Sequence, residues 1–492
     1  MFYFTEVWAM SIFEGLEPKR VYDYFEQFLH IPRETYNTKA ASDYCVAFAK
    51  EHGLWVKQDE ANNVIIKKPG TPGYENSEAL ILQGHLDMVC AKDPDLEFDF
   101  TKDAIEAYVE DGYVKAKGTT LGADNGIALG IILAILESDD IPHPPIEALF
   151  TSDEEDGLLG AEALDMSEFT ATKLLNIDGE VEGVLTIGCA GGIRLAVHVP
   201  IEKEMAEGTS VEIRVRGLLG GHSGAEIHLQ RGNAHKMLGR LLNRVREHVD
   251  FRLVFTEGGK QDNVIAFDSK AQIIVDPADV SKVKEMVCEM EQIFIDEFMG
   301  EEPGLKVTLK EESGVRAEAL DKASTDRVID FLIILPNGVL EYSRKLEGIV
   351  ESSLNVGAVH TTDTHFTTVH YLRSSVDTRN EQIWEKMQVC AKMVGGEVEL
   401  LTKFVAWPMR LDTKLQNIMS ETYKEMFGKD VVIDNLHAGL EPARFVLKKP
   451  ELECVSFGPN LAEVHSVNER MEIASVERTW KYILEILKKC KS

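Results

Sequence analysis

Residues 79–90 decide the fold, and they read Ala79-Leu80-Ile81-Leu82-Gln83-Gly84-His85-Leu86-Asp87-Met88-Val89-Cys90. The apolar run before Gly84 predicts a short buried strand. His85 and Asp87 follow at its C-terminal end, where open α/β sheets place their ligand-binding crevices. Two residues apart in extended backbone, their side chains point to the same side. The pair suits a metal ligand with a supporting carboxylate behind it, although a single His-x-Asp pair usually has no such role.

Two more strand or helix ends carry carboxylates. Asp124 lies in a glycine-flanked turn before an apolar helix predicted at 127–136, where it would also serve as an ordinary N-cap. The strand predicted at 146–151 ends in the acidic run Asp153–Asp156, which contains Glu154 and Glu155. Such a run is usually a solvated charge cluster. At the end of a buried strand, however, its mutual repulsion calls for cations or protons.

The remaining candidates come from a third strand and from the far end of the chain. The strand predicted at 173–177 leads into Asp178, and the last loop before a C-terminal helix holds His465. Strands alternate with helices, and their polar ends would gather at one edge of a sheet. The sequence therefore predicts an α/β domain with its site at the strand tips.

Composition limits the class of protein. The chain has 492 residues, which predicts two domains, and its formal net charge is −31. This acidic balance argues against nucleic acid and anionic membranes as partners. The 7 cysteines form no CxxC pair, which favours reduced thiols and a cytoplasmic location. No apolar run approaches the roughly 20 residues needed to cross a bilayer. The N-terminus lacks the basic region of a signal peptide, and Met10 is an alternative start to Met1.

The α/β pattern of strands and helices ends near residue 191 and resumes near residue 400. Between these points alternating strands accompany long helices predicted at 231–249, 277–298 and 379–394, with strand-like runs that include 350–372. We therefore predict one domain formed by residues 1–190 and 401–492, with a second, α+β domain of residues 191–400 inserted into it. The sequence shows no internal repeat.

The gathered groups predict a two-metal site. Two imidazoles and three carboxylates exceed the ligand number of one tetrahedral ion. Two divalent ions about 3.5–4 Å apart, bridged by one carboxylate, would use all five. Asp124 is the natural bridge, because the other four ligands then divide evenly between the ions. Asp87 is left to support His85, and Glu154 is left to hold a water molecule and to pass its proton to a leaving amine.

The ordered motifs HLD, GADNGIA, SDEEDG, NIDGE and a late VHS resemble the aminoacylase/carboxypeptidase-type di-zinc metallopeptidases, and within them the aminoacyl-histidine dipeptidases. The resemblance covers nearly the whole chain from Met10. It implies a catalytic domain interrupted by a smaller lid domain that usually forms the homodimer. It also implies two ions per chain, zinc first, with manganese or cobalt as alternatives.

Carried over by motif, the resemblance implies metal and catalytic roles. His85, Asp124 and Asp178 would bind one zinc ion, and Asp124, Glu155 and His465 would bind the other. Asp87 would be the carboxylate behind His85, and Glu154 the general base.

The resemblance also implies substrate contacts in the inserted domain. His222, in Gly220-Gly221-His222-Ser223-Gly224, would polarise the substrate carbonyl, in many members that of the partner subunit. Asn263 and Arg373 would hold the terminal carboxylate of the substrate, for which a guanidinium is suited. The chain departs from the family at Pro442-Ala443, where relatives more often have Cys-Gly beside the Glu441 position.

The function that follows is hydrolysis of short unblocked dipeptides, of the Xaa-His type, by water bound to two zinc ions. Two alternatives stay open: an N-acyl amino acid amidase, and a non-catalytic metal-binding protein on the same fold. A two-metal phosphatase is disfavoured, because the sequence has no basic phosphate clamp near these motifs.

Overall fold

The computed structural model describes residues 11–491 and divides them into two compact units. The alternative starts Met1 and Met10 lie outside the described residues. Unit 1 comprises the described residues through Gly188 together with Met409–Asn435 and the residues from Leu440 onward; unit 2 comprises Cys189–Pro408 and Leu436–Gly439. Each unit has its own hydrophobic core.

Unit 1 begins with two helices and five strands and then alternates helices with strands through much of the remainder. Its elements are α1 (Lys19–Leu29), α2 (Lys39–Glu51), β1 (Trp55–Gln58), β2 (Val64–Lys68), β3 (Leu80–His85), β4 (Ala107–Glu110), β5 (Tyr113–Ala116), α3 (Ala123–Glu137), β6 (Ile146–Thr151), α4 (Leu159–Ala163), β7 (Lys173–Asn176) and β8 (Val184–Cys189). After the excursion into unit 2 it continues with α9 (Lys414–Phe427), β18 (Val432–Leu436), α10 (Pro442–Lys448), β19 (Glu453–Ser456), β20 (Leu461–Ala462), β21 (Arg470–Glu472) and α11 (Ile473–Lys489).

The main sheet of unit 1 is mixed, with the strand order β1-β2-β6-β3-β7-β19-β8-β18. Its centre is parallel, because β3 pairs in parallel with both β6 and β7. All six residues of β3 and of β6 are buried. This explains the apolar runs Leu80–Leu82 and Ala148–Phe150 within them, since a parallel strand is covered on both faces. The C-terminal ends of these strands therefore lie side by side.

Helix α3 forms the core beside this sheet. Nearly every residue of α3 is buried, and its apolar residues surround the helix on all sides rather than forming one stripe. Helix α1 contributes Val21, Phe25 and Phe28 to the same core, and none of the three is exposed. Burying each such side chain contributes about 1.5–3 kcal/mol. Within residues 11–491 no helix has the length and apolar character needed to cross a membrane.

Unit 2 consists of one large antiparallel sheet with helices. Its elements are β9 (Gly191–Pro200), β10 (Lys203–Arg216), α5 (Ala234–Arg246), β11 (Phe251–Gly258), β12 (Ser269–Val275), α6 (Val280–Phe298), β13 (Lys306–Leu320), α7 (Lys322–Ile334), β14 (Gly338–Tyr342), β15 (Val350–Thr361), β16 (His365–Ser374), α8 (Asp377–Met393) and β17 (Glu397–Phe404). The strand order is β13-β10-β12-β11-β15-β16-β9-β17, with β14 paired to β15. The run 350–372 resolves into β15 and β16, because the chain turns back at residues 362–364.

This sheet contains the same β-α-β-β-α-β arrangement twice. The inserted half is β10-α5-β11-β12-α6-β13, and the outer half is β9-α7-β15-β16-α8-β17, with β14 as an additional strand between α7 and β15. In each half the strands lie in the order fourth, first, third, second, and the two halves meet where β11 pairs antiparallel with β15. The inserted half interrupts the outer half between β9 and α7. Unit 2 is therefore an internal duplication of topology that the sequence did not reveal.

Two histidines of unit 2 are fully buried. His235 on α5 pairs through Nδ1 with the Ser269 hydroxyl at 2.8 Å, and His370 on β16 pairs through Nε2 with the Thr368 hydroxyl at 2.6 Å. Burial lowers the pKa of His235 to about 4 and the pKa of His370 to about 3. Both imidazoles therefore stay neutral in the folded protein at the pH at which the same histidines of the unfolded chain begin to bind protons.

We predict that acid destabilises unit 2 through these two histidines. Their folded pKa values lie below the unfolded value of about 6.5, so the unfolded state binds more protons as the pH falls. Between pH 6.5 and 5 each histidine should lower the free energy of unfolding by about 2 kcal/mol. The free energy of unfolding in urea should depend less steeply on pH for His370→Gln than for the parent, and the difference in slope should correspond to one proton. His365→Gln, at an exposed position of the same strand, controls for the substitution; equal slopes for parent and His370→Gln would contradict the prediction.

Candidate functional site

The parallel centre of the unit 1 sheet brings three of the predicted site segments together. His85 ends β3 and lies opposite Thr151 at the end of β6. Gln83 lies opposite Asn176, the last residue of β7. Since β6 and β7 flank β3, the acidic loop after Thr151 and Asp178 after β7 emerge on either side of His85.

A group of three candidate ligands forms at this edge. His85, Asp124 and Glu155 each offer one ligand atom, and these atoms lie within 4.8 Å of one another. His85 Nε2 is 3.1 Å from Asp124 Oδ1 and 3.4 Å from Asp178 Oδ1. One ring nitrogen of a buried imidazole thus faces two carboxylates, an arrangement typical of a metal-binding site.

His465 reaches the same group from the C-terminal part of the chain. Its Nε2 is 3.1 Å from Asp124 Oδ2 and 3.1 Å from Glu155 Oε2. Glu155 Oε1 is buried and has no hydrogen-bond partner among residues 11–491. Asp124 therefore turns one carboxylate oxygen toward His85 and the other toward His465.

Asp87 lies behind His85 and also orders the acidic loop. Its Oδ1 is 3.5 Å from His85 Nδ1, the ring nitrogen that faces away from Asp124. The backbone N–H groups of Glu154 and Glu155 donate to the two oxygens of Asp87 at 2.9 and 3.2 Å. The hydroxyl of Thr35 donates to Asp87 Oδ2 at 2.9 Å. This fully buried carboxylate thereby fixes the loop that carries Glu154, while His85 Nδ1 pairs with the backbone carbonyl of Asp87 at 3.2 Å.

Asn125 ties β3 to the end of β7. Its amide donates to the Ile177 carbonyl at 2.7 Å and to Asp178 Oδ1 at 2.9 Å, while its oxygen accepts from the His85 N–H at 3.2 Å. The Asp124–Asn125 peptide bond is cis. Gly84 permits this contact, because a Cβ there would lie 2.5 Å from Asn125 Oδ1.

The electrostatics of the group reflect an excess of negative charge. Hydrogen bonding of the His465 ring to the carboxylates of Asp124 and Glu155, which accept, raises the pKa of His465 to about 11. Burial raises the pKa of Asp178 to about 6, although His85 opposes this shift. Burial and the neighbouring carboxylates raise the pKa of Glu154 well above its usual value. Without metal, protons are thus needed to balance the carboxylates, and divalent cations would fill the same need.

Glu441 belongs to a buried polar network beneath this edge. Its Oε2 accepts from Gln83 Nε2 at 2.5 Å and from the Thr151 hydroxyl at 2.8 Å, and its Oε1 has no partner among the described residues. Burial raises the pKa of Glu441 to about 8. The carboxyl next to the Pro442 departure thus packs against the strands that carry the site.

The predicted substrate-binding residues lie in unit 2. The loops that carry His222 and Asn263 are hydrogen-bonded to each other there. The His222 backbone bridges to Val264, next to Asn263, and the Ser223 N–H donates to the Asn263 carbonyl at 2.8 Å. The Arg373 side chain passes close to Gly224, whose Cβ, if present, would be 3.3 Å from the guanidinium carbon.

Arg373 itself is buried without an ion pair. It is only 5% exposed, and among residues 11–491 no carboxylate lies within ion-pair distance of it. Its guanidinium carbon lies 3.8 Å above the centre of the Tyr371 ring, and its Nε has no hydrogen-bond partner in the same described range. A buried guanidinium with free donors is an arrangement that suits an anionic ligand.

Sequence reasoning missed several residues that shape this site. Asn125, Thr35 and Gln83 contact candidate ligands or their loops but belong to no spacing pattern of ligand-type residues. Asn125 follows Asp124 within the GADNGIA motif, which was the one available signal. Two buried charged residues, Arg33 and Glu469, also escaped notice.

The sequence profile of Peptidase family M20/M25/M40 matches residues 81–489. The chain belongs to this family. The cytosol non-specific dipeptidase of Escherichia coli (strain K12) is 36% identical over 481 residues, which cover 97% of this chain and 99% of that protein. The crystal structure of aminoacylhistidine dipeptidase from Vibrio alginolyticus matches with a TM-score of 0.90 at 35% identity and covers 98% of both chains.

A more distant structure, aminopeptidase PepT from Bacillus cereus ATCC 10987, matches with a TM-score of 0.55 at 16% identity, covering 97% of this chain and 100% of that one, and shares the fold alone. These matches confirm the resemblance to aminoacyl-histidine dipeptidases and the α/β peptidase fold. The chain is a member of a metallopeptidase family, and the two reported relatives that are more than 30% identical to it over nearly their full length are named dipeptidases.

We predict that Gly84→Ala destabilises unit 1 by about 1–3 kcal/mol, because the added methyl would meet Asn125 Oδ1 at 2.5 Å and Ala128 Cβ at 3.0 Å. Denaturant unfolding measures the loss. Gly439→Ala, in unit 2, controls for the glycine-to-alanine change itself, since a Cβ at Gly439 would meet nothing within 4 Å. Equal stability of Gly84→Ala and the parent would show that the space between β3 and Asn125 admits a methyl group.

Proposed function

We propose that the chain is a metal-dependent dipeptidase that hydrolyses short unblocked dipeptides, with Xaa-His dipeptides as the preferred class. The proposal is carried by the convergence of His85, Asp124 and Glu155, whose ligand atoms lie within 4.8 Å of one another. The dipeptidase names of two full-length relatives support the substrate class. We also propose a cytoplasmic location, after the cytosolic relative, and a homodimer formed through unit 2 as a lid domain.

The donor set fits two divalent ions, which we assign as zinc. Asp124 would bridge them, because its two oxygens face different imidazoles, those of His85 and His465. Asp178 lies on the His85 side and Glu155 on the His465 side. The unpartnered Oε1 of Glu155 and the nitrogen and oxygen donors agree with this assignment. When bound, the ions would supply Lewis acidity and lower the pKa of water at the site.

Glu154 is our proposed general base. The hydrogen bond from its N–H to Asp87 fixes its backbone, while its carboxylate accepts no hydrogen bond from residues 11–491. It is therefore free to take the proton from the attacking water and to give it to the leaving amine nitrogen as the peptide bond breaks. Asp87 would hold His85 in the orientation that presents Nε2 to the site.

Two groups of unit 2 complete the proposal. Arg373, buried without a carboxylate partner in the described part of the chain, would hold the C-terminal carboxylate of the substrate together with Asn263. His222 would polarise the substrate carbonyl, an assignment that rests on the motif Gly220-Gly221-His222-Ser223-Gly224.

The adjacent residues Glu154 and Glu155 allow a direct test of the assigned roles. Glu154→Gln keeps the shape but accepts no proton, so kcat should fall at least about 10²–10⁴-fold while two ions stay bound. Glu155→Gln should instead lose an ion. Metal content by elemental analysis and initial rates measure both effects. If Glu154→Gln loses the ion and Glu155→Gln keeps it, the two roles are exchanged; if both variants keep ions and activity, the acidic run is only a solvated loop.

A panel of matched peptides tests the substrate class. We expect free dipeptides to be cleaved and N-acetylated ones to be poor substrates, and we expect a C-terminal histidine to raise kcat/KM. Amidation of the C-terminus should lower kcat/KM by about 10–100-fold in the parent, because a charge-assisted hydrogen bond is lost. Arg373→Met should lower activity on the free dipeptide and abolish this discrimination. Preference for the N-acetylated substrates would favour the amidase alternative.

A further inference from the structure

Glu469 is a buried carboxylate that binds the turn leading into Asp124. It is 2% exposed. Its Oε2 accepts from the backbone N–H groups of Leu121 and Gly122 at 2.7 and 2.9 Å. Its Oε1 accepts from those of Ala123 and Asp124 at 2.8 and 3.3 Å. Four consecutive amides, at the start of α3, thus point at one side chain that lies 345 positions further along the chain.

Arg33 holds the same turn from its carbonyl side. It is 1% exposed. Its Nη1 donates to the carbonyls of Leu86 and Asp87 at 3.1 and 2.9 Å, and its Nη2 donates to the Gly122 carbonyl. A Cβ at Gly122 would lie 2.5 Å from Arg33 Nη2, and the φ of Gly122 is +69°, so a glycine suits this turn.

One peptide group lies between these two charges. The carbonyl of Gly122 accepts from Arg33, and the N–H of the same peptide, that of Ala123, donates to Glu469. A cation and an anion therefore polarise one peptide in the same direction, which strengthens both charge-assisted hydrogen bonds. Each charge would be unfavourable in this interior without such partners.

The two side chains also connect the loops that carry the candidate ligands. Arg33 links the segment after His85 to the Gly122 turn. Glu469 lies four residues after His465 and binds the amide of Asp124 itself. An ordinary N-cap would need only a short local side chain. A distant glutamate in this place joins the His465 loop to the Asp124 turn.

We propose that Glu469 and Arg33 are positioning residues of the metal centre, which fix the Asp124 turn relative to His85 and His465. Their hydrogen bonds go to backbone groups of the segments that carry the ligands, so both residues act through the backbone. The inference rests on the proposed two-ion site. It predicts that the affinities for both ions fall together when the turn is loosened, because Asp124 is the ligand that they would share.

The test compares two buried glutamates of unit 1 that accept hydrogen bonds from backbone N–H groups. Glu469→Gln turns an amide group toward N–H donors and should lower the affinity for both ions about 10–100-fold, the usual effect of losing a supporting group. Glu147→Gln is the matched control, because Glu147 accepts from the N–H groups of Thr170 and Ala171 near the start of β6, at the other end of the sheet. It should lower stability and leave ion affinity unchanged. Zinc affinity is measured by competition with a chromophoric chelator.

The outcomes separate this inference from the proposed function. A parent protein that fails to bind two ions contradicts the two-ion site itself. If the parent binds two ions and Glu469→Gln binds them equally well, or if Glu147→Gln loses the same affinity, the positioning role is wrong and Glu469 only stabilises the fold.

Two further measurements apply if Glu469→Gln does not fold. Arg33→Lys keeps the charge but cannot reach all three carbonyls, so its ion affinity should also fall, and unchanged affinity would overturn the inference. Hydrogen exchange of the metal-free parent should show protected amides at Leu121–Asp124. Free exchange there would show that the turn is not held before metal binds.

Discussion

The repulsion among carboxylates at the ends of three parallel strands is the constraint on which unit 1 depends. β3, β6 and β7 end side by side, and the residues that follow them bring Asp87, Glu155 and Asp178 to one edge. Charges of one sign at such short separation are unfavourable in a buried place. The imidazoles of His85 and His465 offset part of this repulsion, and protons or divalent cations must offset the rest. The apolar β3 and α3 make the edge rigid enough to maintain this proximity.

Several of the hydrogen bonds around the site join different loops. Asp87 binds the backbone of the Glu154 loop, and Asn125 joins β3 to Asp178. Each ligand therefore depends on a segment distant in sequence. Such a network favours one geometry of the group, because a displacement of any loop would leave buried polar atoms without partners.

Part of this could be predicted from sequence. The strand-tip positions of His85 and Asp178 follow from apolar runs that end in polar residues, and the position of Asp124 follows from the glycine-flanked turn before an apolar helix. The ordered motifs identified the family. The supporting residues could not be predicted, since the contacts of Arg33 and Asn125 join segments with no common pattern. Helix α7 was also missed; its apolar end, residues 331–335, is equally typical of a strand. The repeat in unit 2 is one of element order and strand order, and the sequence shows no internal repeat that would indicate it.

The duplication in unit 2 has a consequence for how its sheet behaves on dilution. The inserted and outer halves meet along β11 and β15, as two separate subunits could. Because both halves belong to one polypeptide, their local concentration is set by the connecting segments and not by the amount of protein. The continuous sheet should therefore persist at concentrations where an equivalent pair of chains would dissociate. The two halves are also free to differ in sequence, since no symmetry operation requires them to be identical.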